Sequence, residues 1–168
     1  MIYLVMGVSG SGKTLIGTLL AKKMNLPFYD ADDFHSQRNI RKMRAGIALT
    51  DKDRKPWLKA VCAQIPMWRA AGGAVLACSA LKERYRDRLR LAAEGEMRVI
   101  HLTGSPELIG GRMRRRAHPF FHAGLLSSQY EALEPPERAI TVSVDNEPGR
   151  IVREILEKLK ARKNTDIY

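Results

Sequence analysis

Eight residues near the start of the chain, Gly7-Val8-Ser9-Gly10-Ser11-Gly12-Lys13-Thr14, have the types and spacing that hold a phosphate. They follow the apolar run Ile2 to Met6 and precede Leu15-Ile16-Gly17-Thr18-Leu19-Leu20. The pattern G-x-x-x-x-G-K-[ST] therefore stands between a strand and a helix, the context that gives it meaning. Gly7, Gly10 and Gly12 let the backbone curl, so that successive N–H groups of the loop, those of Ser9 and Ser11 included, face inward as an anion nest. A helix beginning near Gly12 adds the positive end of its dipole. Lys13 can reach the β- and γ-phosphates of a nucleotide, and Thr14 offers a hydroxyl directly to Mg²⁺.

A second group follows the apolar pair Phe28-Tyr29: Asp30-Ala31-Asp32-Asp33. Acidic residues just past a parallel strand fall at the carboxyl edge of the sheet, where open α/β folds keep their ligands. Asp30 can hold a magnesium-bound water, which leaves Asp32 to position an acceptor hydroxyl or take its proton. The same four residues also suit a plain capping turn. His35 fits a structural hydrogen bond as well as a substrate contact. Arg38, Lys42 and Arg54 can hold a carboxylate, and each also fits an ordinary charged surface. Arg112-Met113-Arg114-Arg115-Arg116 reads two ways. Arg112 and Arg116 share one helical face, which suits a lid closing over ATP and neutralising the transferred charge. Four arginines at a helix end also suit the dipole there.

The elements that must position these groups alternate along the chain. Strands are predicted at Ile2–Met6, from Phe28, at Ala74–Cys78, at Val99–Leu102 and at Ala139–Val144. Helices are predicted between them. One runs from Leu15 to about Met24, and a short one ends near Gly46. Another has Pro56-Trp57 in its first turn, after a loop over Leu49–Arg54 that caps it, and bends or stops at Pro66. The next opens at Ser79–Lys82, with Leu81, Tyr85, Leu89 and Leu91 inward. Ser105 caps the following helix. Ala117–Gly124 reads as a mobile connection, Leu125–Leu133 as a helix, and a final helix frays from Ala161. Trp57, Leu58, Val61, Ile65 and Trp68 form a core stripe. The expected fold class is α/β: a three-layer α/β/α arrangement on a five-stranded parallel sheet with right-handed crossovers.

The chain has 168 residues, 45% of them hydrophobic, which suits one domain over 1–168 with a full core. No apolar run reaches the length of a membrane span, so no membrane association is expected. The first residues feed directly into the phosphate loop, which excludes a removable leader there. Cys62 and Cys78 suggest neither a disulfide scaffold nor a zinc site, and a reducing cytoplasm is the simplest compartment. The net charge of +11 fits anionic ligands and also nucleic acid. With few aromatics and the basic residues mostly outside strands, nucleic acid is not expected.

A phosphate loop alone does not separate a kinase from a GTPase, an ATPase or a helicase. The chain is short for a helicase core, and no apolar strand after residue 50 ends in Asp-x-x-Gly. The third strand ends in Ser79, where many ATPases carry an acidic residue. The carboxylates after the second strand favour a small-molecule kinase.

Longer segments carry a resemblance. They are Phe28-Tyr29-Asp30-Ala31-Asp32-Asp33-Phe34-His35, Arg38-Asn39-Ile40-Arg41-Lys42-Met43 and Leu49-Thr50-Asp51-Lys52-Asp53-Arg54-Lys55-Pro56-Trp57-Leu58. Further on come Cys78-Ser79-Ala80-Leu81-Lys82 with Tyr85-Arg86-Asp87, His101-Leu102-Thr103-Gly104, and Leu125 to Pro135. Together with the phosphate loop they resemble the gluconokinase family of small P-loop carbohydrate kinases, in the family's order and over nearly the whole chain. The resemblance implies a nucleoside-monophosphate-kinase-like fold with a substrate-side helical region at about 32–70 and a mobile lid at about 112–130. It implies transfer of the γ-phosphoryl group of ATP, with Mg²⁺, to the 6-hydroxyl of D-gluconate, and a homodimer. By position it assigns Lys13, Asp32 and Arg116 to catalysis, and Arg112 and Arg116 to the nucleotide. His35, Arg38, Lys42, Arg54, Lys82, Arg86 and Gln129 line or support the sugar-acid pocket. Two segments depart from the family pattern. Asp30-Ala31-Asp32 stands for the usual Asp-Gly-Asp, and Arg116-Ala117-His118-Pro119-Phe120 for Arg-Lys-Gly-His-Phe. A kinase of another small hydroxy acid, such as shikimate, shares the chemistry, and a basic nucleic-acid-binding P-loop module is the rival of a different class.

Overall fold

The computed structural model describes residues 1–115 and 123–165. Five parallel strands form one sheet: β1 (Ile2–Met6), β2 (Phe28–Asp30), β3 (Ala74–Ala77), β4 (Met97–Thr103) and β5 (Ala139–Ser143), in the order β2-β3-β1-β4-β5. β1 lies at the centre, with Leu4 opposite Leu76 of β3 and Val99 of β4. Because side chains alternate across a strand, β1 feeds two cores. Tyr3 and Val5 face the layer of α1 (Lys13–Met24) and α7 (Pro148–Thr165), with Ile16, Leu20, Ile151 and Ile155. Ile2, Leu4 and Met6 face α3 (Asp51–Ala70) and α4 (Glu83–Ala92), with Trp57, Val61, Ile65, Trp68 and Leu89. The α/β/α sandwich on a five-stranded parallel sheet is the architecture expected. Two helices complete the far end: α5 (Pro106–Arg115), whose Leu108 N–H is received by the cap Ser105, and α6 (Ala123–Ala132).

Several boundaries differ from the sequence reading. The acidic stretch after β2 winds into a 3-10 turn, Ala31–Phe34, and α2 (Gln37–Arg44) follows, capped by Ser36. Leu49–Arg54 does cap α3, through Thr50, but the helix already starts at Asp51, so Pro56 lies beyond the first turn. Thr50 and Asp53 make a reciprocal capping box that starts the helix earlier. Pro66 does not stop α3, which continues to Ala70 because Ile65 and Trp68 are buried on either side of it. α4 opens at Glu83, and Ser79–Lys82 is irregular, with Ala80 at φ 41°. Leu91, expected inward, is 79% exposed, whereas Arg86 is fully buried. α7 runs on past Ala161 to Thr165. Among the described residues, no helix is long and apolar enough to cross a membrane.

Candidate active site

The phosphate loop joins β1 to α1 at the carboxyl edge of the sheet. Gly12 ends it at φ 90°, in the left-handed region, and no side chain caps the first N–H groups of α1. Gly10, at φ 78°, lies under α5: a Cβ there would stand 2.5 Å from the Met113 sulfur. Lys13 Nζ donates to the Val8 carbonyl at 3.1 Å, which holds the ammonium across the loop. Ser11 is buried, and its hydroxyl oxygen has no hydrogen-bond partner among the described residues. This uncapped, glycine-shaped cradle fits a nucleotide's phosphates.

Thr14 and Asp30 meet across the edge. The Thr14 hydroxyl donates to Asp30 Oδ2 at 2.7 Å, and Asp30 Oδ1 accepts the Asp32 N–H at 3.0 Å. With its proton committed to Asp30, the hydroxyl turns its lone pairs outward, an oxygen donor suited to Mg²⁺. The same carboxylate sets the turn that carries Asp32. Alanine at position 31 fits this turn, since Ala31 does not require a positive φ and its carbonyl accepts the Trp57 indole N–H at 2.7 Å.

Asp32 faces a cleft that opens to solvent. Desolvation raises its carboxyl above the ordinary value, the Lys13 ammonium opposes this, and Asp30 and Asp33 add to it. The side chain keeps 55% of its surface exposed, so water reaches the carboxylate and, with the Lys13 ammonium, works against that rise. His35 stacks on Trp57, ring centroids 4.7 Å apart and nearly parallel. Burial, and then the nearby Arg54 guanidinium, push its pKa down to about 4, so the ring is neutral.

The cleft brings together Ser9, Lys13, Asp32, His35, Arg54 and Gln129, all named from sequence. Gln129 reaches from α6 to the phosphate loop: its Oε1 accepts the Ser9 N–H at 2.7 Å and its Nε2 donates to Ser9 Oγ at 3.0 Å. Other named residues have different neighbours. Lys42 is paired with Asp53 at 2.8 Å, and with Arg38 it lines a separate outer cleft beside Ser36 and Lys52. Lys82 is held by Asp51 at 3.2 Å, in a cluster that also takes Arg84 and the Tyr85 hydroxyl. Arg86 donates to the carbonyls of Ala80, Leu81 and Glu134 and pairs with Glu83, so it supports the cleft wall from behind. Arg112 donates to the Val144 carbonyl at 2.7 Å, tying α5 to the end of β5. Arg116, His118 and Pro119 lie outside the described residues.

Sequence reasoning placed Trp57 in the core, where it is, and missed that its outer face is the platform for His35. It passed over Asn39, which lies between His35 and α3. Its place is set by the Ser36 cap that starts α2, which no periodicity reveals.

A family profile described as Shikimate kinase matches residues 9–160. A rat protein named "Probable gluconokinase" is 44% identical over 95% of this chain and 97% of its own length. The crystal structure of a gluconokinase from Sinorhizobium meliloti 1021 is 39% identical, with a TM-score of 0.87 over 99% of this chain and 97% of that one. The shikimate kinase of Aquifex aeolicus is 20% identical with a TM-score of 0.55 over 97% and 98%, a likeness of fold. The chain thus has the fold and nucleotide loop of an ATP-binding small-molecule kinase, and it belongs to the gluconokinase family of small P-loop carbohydrate kinases.

Proposed function

We propose that this chain transfers the γ-phosphoryl group of ATP to the 6-hydroxyl of D-gluconate, giving 6-phosphogluconate and ADP. The observation that carries the reading is the shared cleft. A phosphate-loop lysine, a solvated carboxylate, a neutral histidine and one guanidinium line a single space. Asp32 orients the acceptor hydroxyl in line with the phosphate and takes its proton as the new P–O bond forms. Lys13 stabilises charge on the transferred oxygens. Arg54 offers a partner for the acceptor's carboxylate. Thr14 would hold Mg²⁺ directly and Asp30 through a water. The metal, when bound, neutralises charge on the β- and γ-phosphates. Arg112 and Arg116 belong to the proposed lid at about 112–130, which would exclude water during transfer. The working form is a homodimer in the cytoplasm.

The test is ADP release from Mg-ATP with a panel of sugar acids, shikimate and nucleotides. Gluconate alone should respond strongly. Equal rates with shikimate, or no rate above background with gluconate, would overturn the acceptor. Asp32→Asn should lower kcat by about 100-fold or more while ATP binding holds. Turnover near wild type would remove Asp32 from this role.

A further inference from the structure

We infer that Asn39 is a positioning residue that fixes His35 as its neutral Nε2–H tautomer, making it a standing hydrogen-bond donor beside Asp32 in the acceptor cleft. The inference deepens the acceptor-site reading and rests on it for its role in turnover.

The proton assignment follows from one amide group. Asn39 is 4% exposed, and its Nδ2 lies 2.9 Å from the Asp53 carbonyl oxygen. A carbonyl oxygen only accepts, so the nitrogen of the amide must be the atom facing it. The same nitrogen lies 3.4 Å from His35 Nδ1. Its second hydrogen points there, since the first is committed to Asp53. A proton on Nδ1 would set two N–H groups against each other, so Nδ1 must present its lone pair. In a neutral ring the proton then sits on Nε2. The lowered affinity of the ring for a second proton agrees with this.

The surroundings keep the ring in place. Trp57 lies flat against it, and the backbone N–H of His35 donates to the Asp32 carbonyl at 3.2 Å. The charged groups around the ring are Asp32, whose Oδ1 is 4.0 Å from Nε2, and Arg54. Asp53 offers Asn39 its backbone oxygen, while its carboxylate is engaged by Lys42 and by the Thr50 N–H and hydroxyl. At 4.0 Å the Nε2–H is not bonded to Asp32, and both groups face the cleft. A hydroxyl entering between them meets a donor and an acceptor. Asp32 takes its O–H and His35 gives a hydrogen to its oxygen or to that of the neighbouring hydroxyl. The pair therefore selects polyols over acceptors that present only carbonyl oxygens. With the proton on Nδ1, Nε2 would be a second acceptor beside a carboxylate, and the hydroxyl oxygen would lose its donor.

The experiment is a long-range ¹H–¹⁵N correlation spectrum of the His35 ring in the full-length, ¹⁵N-labelled protein. Wild type should show a bare, pyridine-type Nδ1 and a protonated Nε2, unchanged from about pH 7.5 to about 5.5. In Asn39→Asp an acceptor-only side chain faces Nδ1, so the proton should move to Nδ1. The KM for gluconate should then rise about 10-fold, with kcat reduced and the KM for Mg-ATP within about twofold of wild type. Asn39→Ala, which removes the donor without adding charge, should give a mixture of both tautomers. A proton on Nδ1 in wild type, or a ring that keeps the Nε2–H form in both variants, would overturn the inference. The spectra need no substrate, so they decide the assignment even if gluconate proves not to be the acceptor.

Discussion

His35 gives the fold a pH dependence whose sign and size follow from its packing. In the unfolded chain the ring has its ordinary pKa of 6.5, and in the native chain burial and Arg54 push it down to about 4. Between those values the unfolded chain binds a proton that the native chain refuses. The stability that comes from keeping the ring neutral is therefore fully present above pH 6.5 and is lost as the pH falls toward 4. The full difference corresponds to about 3 kcal/mol, of which about 2 kcal/mol is gone by pH 5. The side chain is 5% exposed, so solvent does little to reduce it. Other groups also titrate: His101 is lowered by burial and works in the same direction, whereas Asp32 is raised and works against it. Comparison with His35→Gln cancels these. Urea unfolding of both proteins at about pH 7.5 and about pH 5 should show wild type losing about 2 kcal/mol more than the variant. Equal losses would mean that the ring is not held neutral. A smaller loss in wild type would mean that it gains a proton on folding and pairs with Asp32, the reverse of the arrangement described.

Two further outcomes are expected. Arg86→Met leaves the carbonyls of Ala80 and Glu134 without the guanidinium donor, while the Leu81 carbonyl keeps the Glu134 N–H, and should cost about 2–3 kcal/mol by denaturant titration, with the loss appearing in stability before acceptor KM. Thr14→Val keeps the shape of the side chain and removes the hydroxyl that bonds Asp30, so the Mg²⁺ concentration for half-maximal turnover should rise ~10-fold while metal-free ATP binding changes little.

The parts of the fold that were legible in the sequence are those encoded locally. An apolar run, a glycine-rich turn and a helical stripe are each contained in a dozen residues, so the five strands and the phosphate loop could be read directly. Boundaries failed where a local signal was weak or ambiguous. Asp51-Lys52-Asp53-Arg54 looks like a loop by charge, yet Thr50 and Asp53 form the box that starts α3. Arg86 looks like a surface or pocket cation because burial of an arginine depends on carbonyls that only the tertiary fold brings to it, one of them from Glu134. The partners of Lys42 and Lys82 are likewise 11 and 31 residues away, on α3. Side-chain type showed that these residues were cationic, and only the fold decided what each one faced.

That division of cations bears on what the cleft can accept. Among the described residues lining it, the only cations are Lys13 and Arg54, since His35 is neutral. Lys13 belongs to the phosphate loop, which leaves one guanidinium on the acceptor side, already giving one N–H to the Leu49 carbonyl. A dianionic acceptor would bring a second negative charge close to Asp32 with no counter-charge to meet it, at a cost that grows in a partly desolvated space. Under the proposed function, an acceptor with a single carboxylate would place its one charge against Arg54 and its hydroxyls against Asp32 and His35. Gluconate and shikimate both satisfy that charge limit, so discrimination between them must come from shape. An open-chain polyol can span the distance from Arg54 to Asp32 by rotating its own carbon chain, whereas a rigid ring must already fit. The wall that sets this fit is formed by Met43, Leu49, Leu81 and Leu125, apolar side chains that resist deformation once packed. On the proposed acceptor reading, the cations limit the acceptor's charge, and these four apolar residues would select its form.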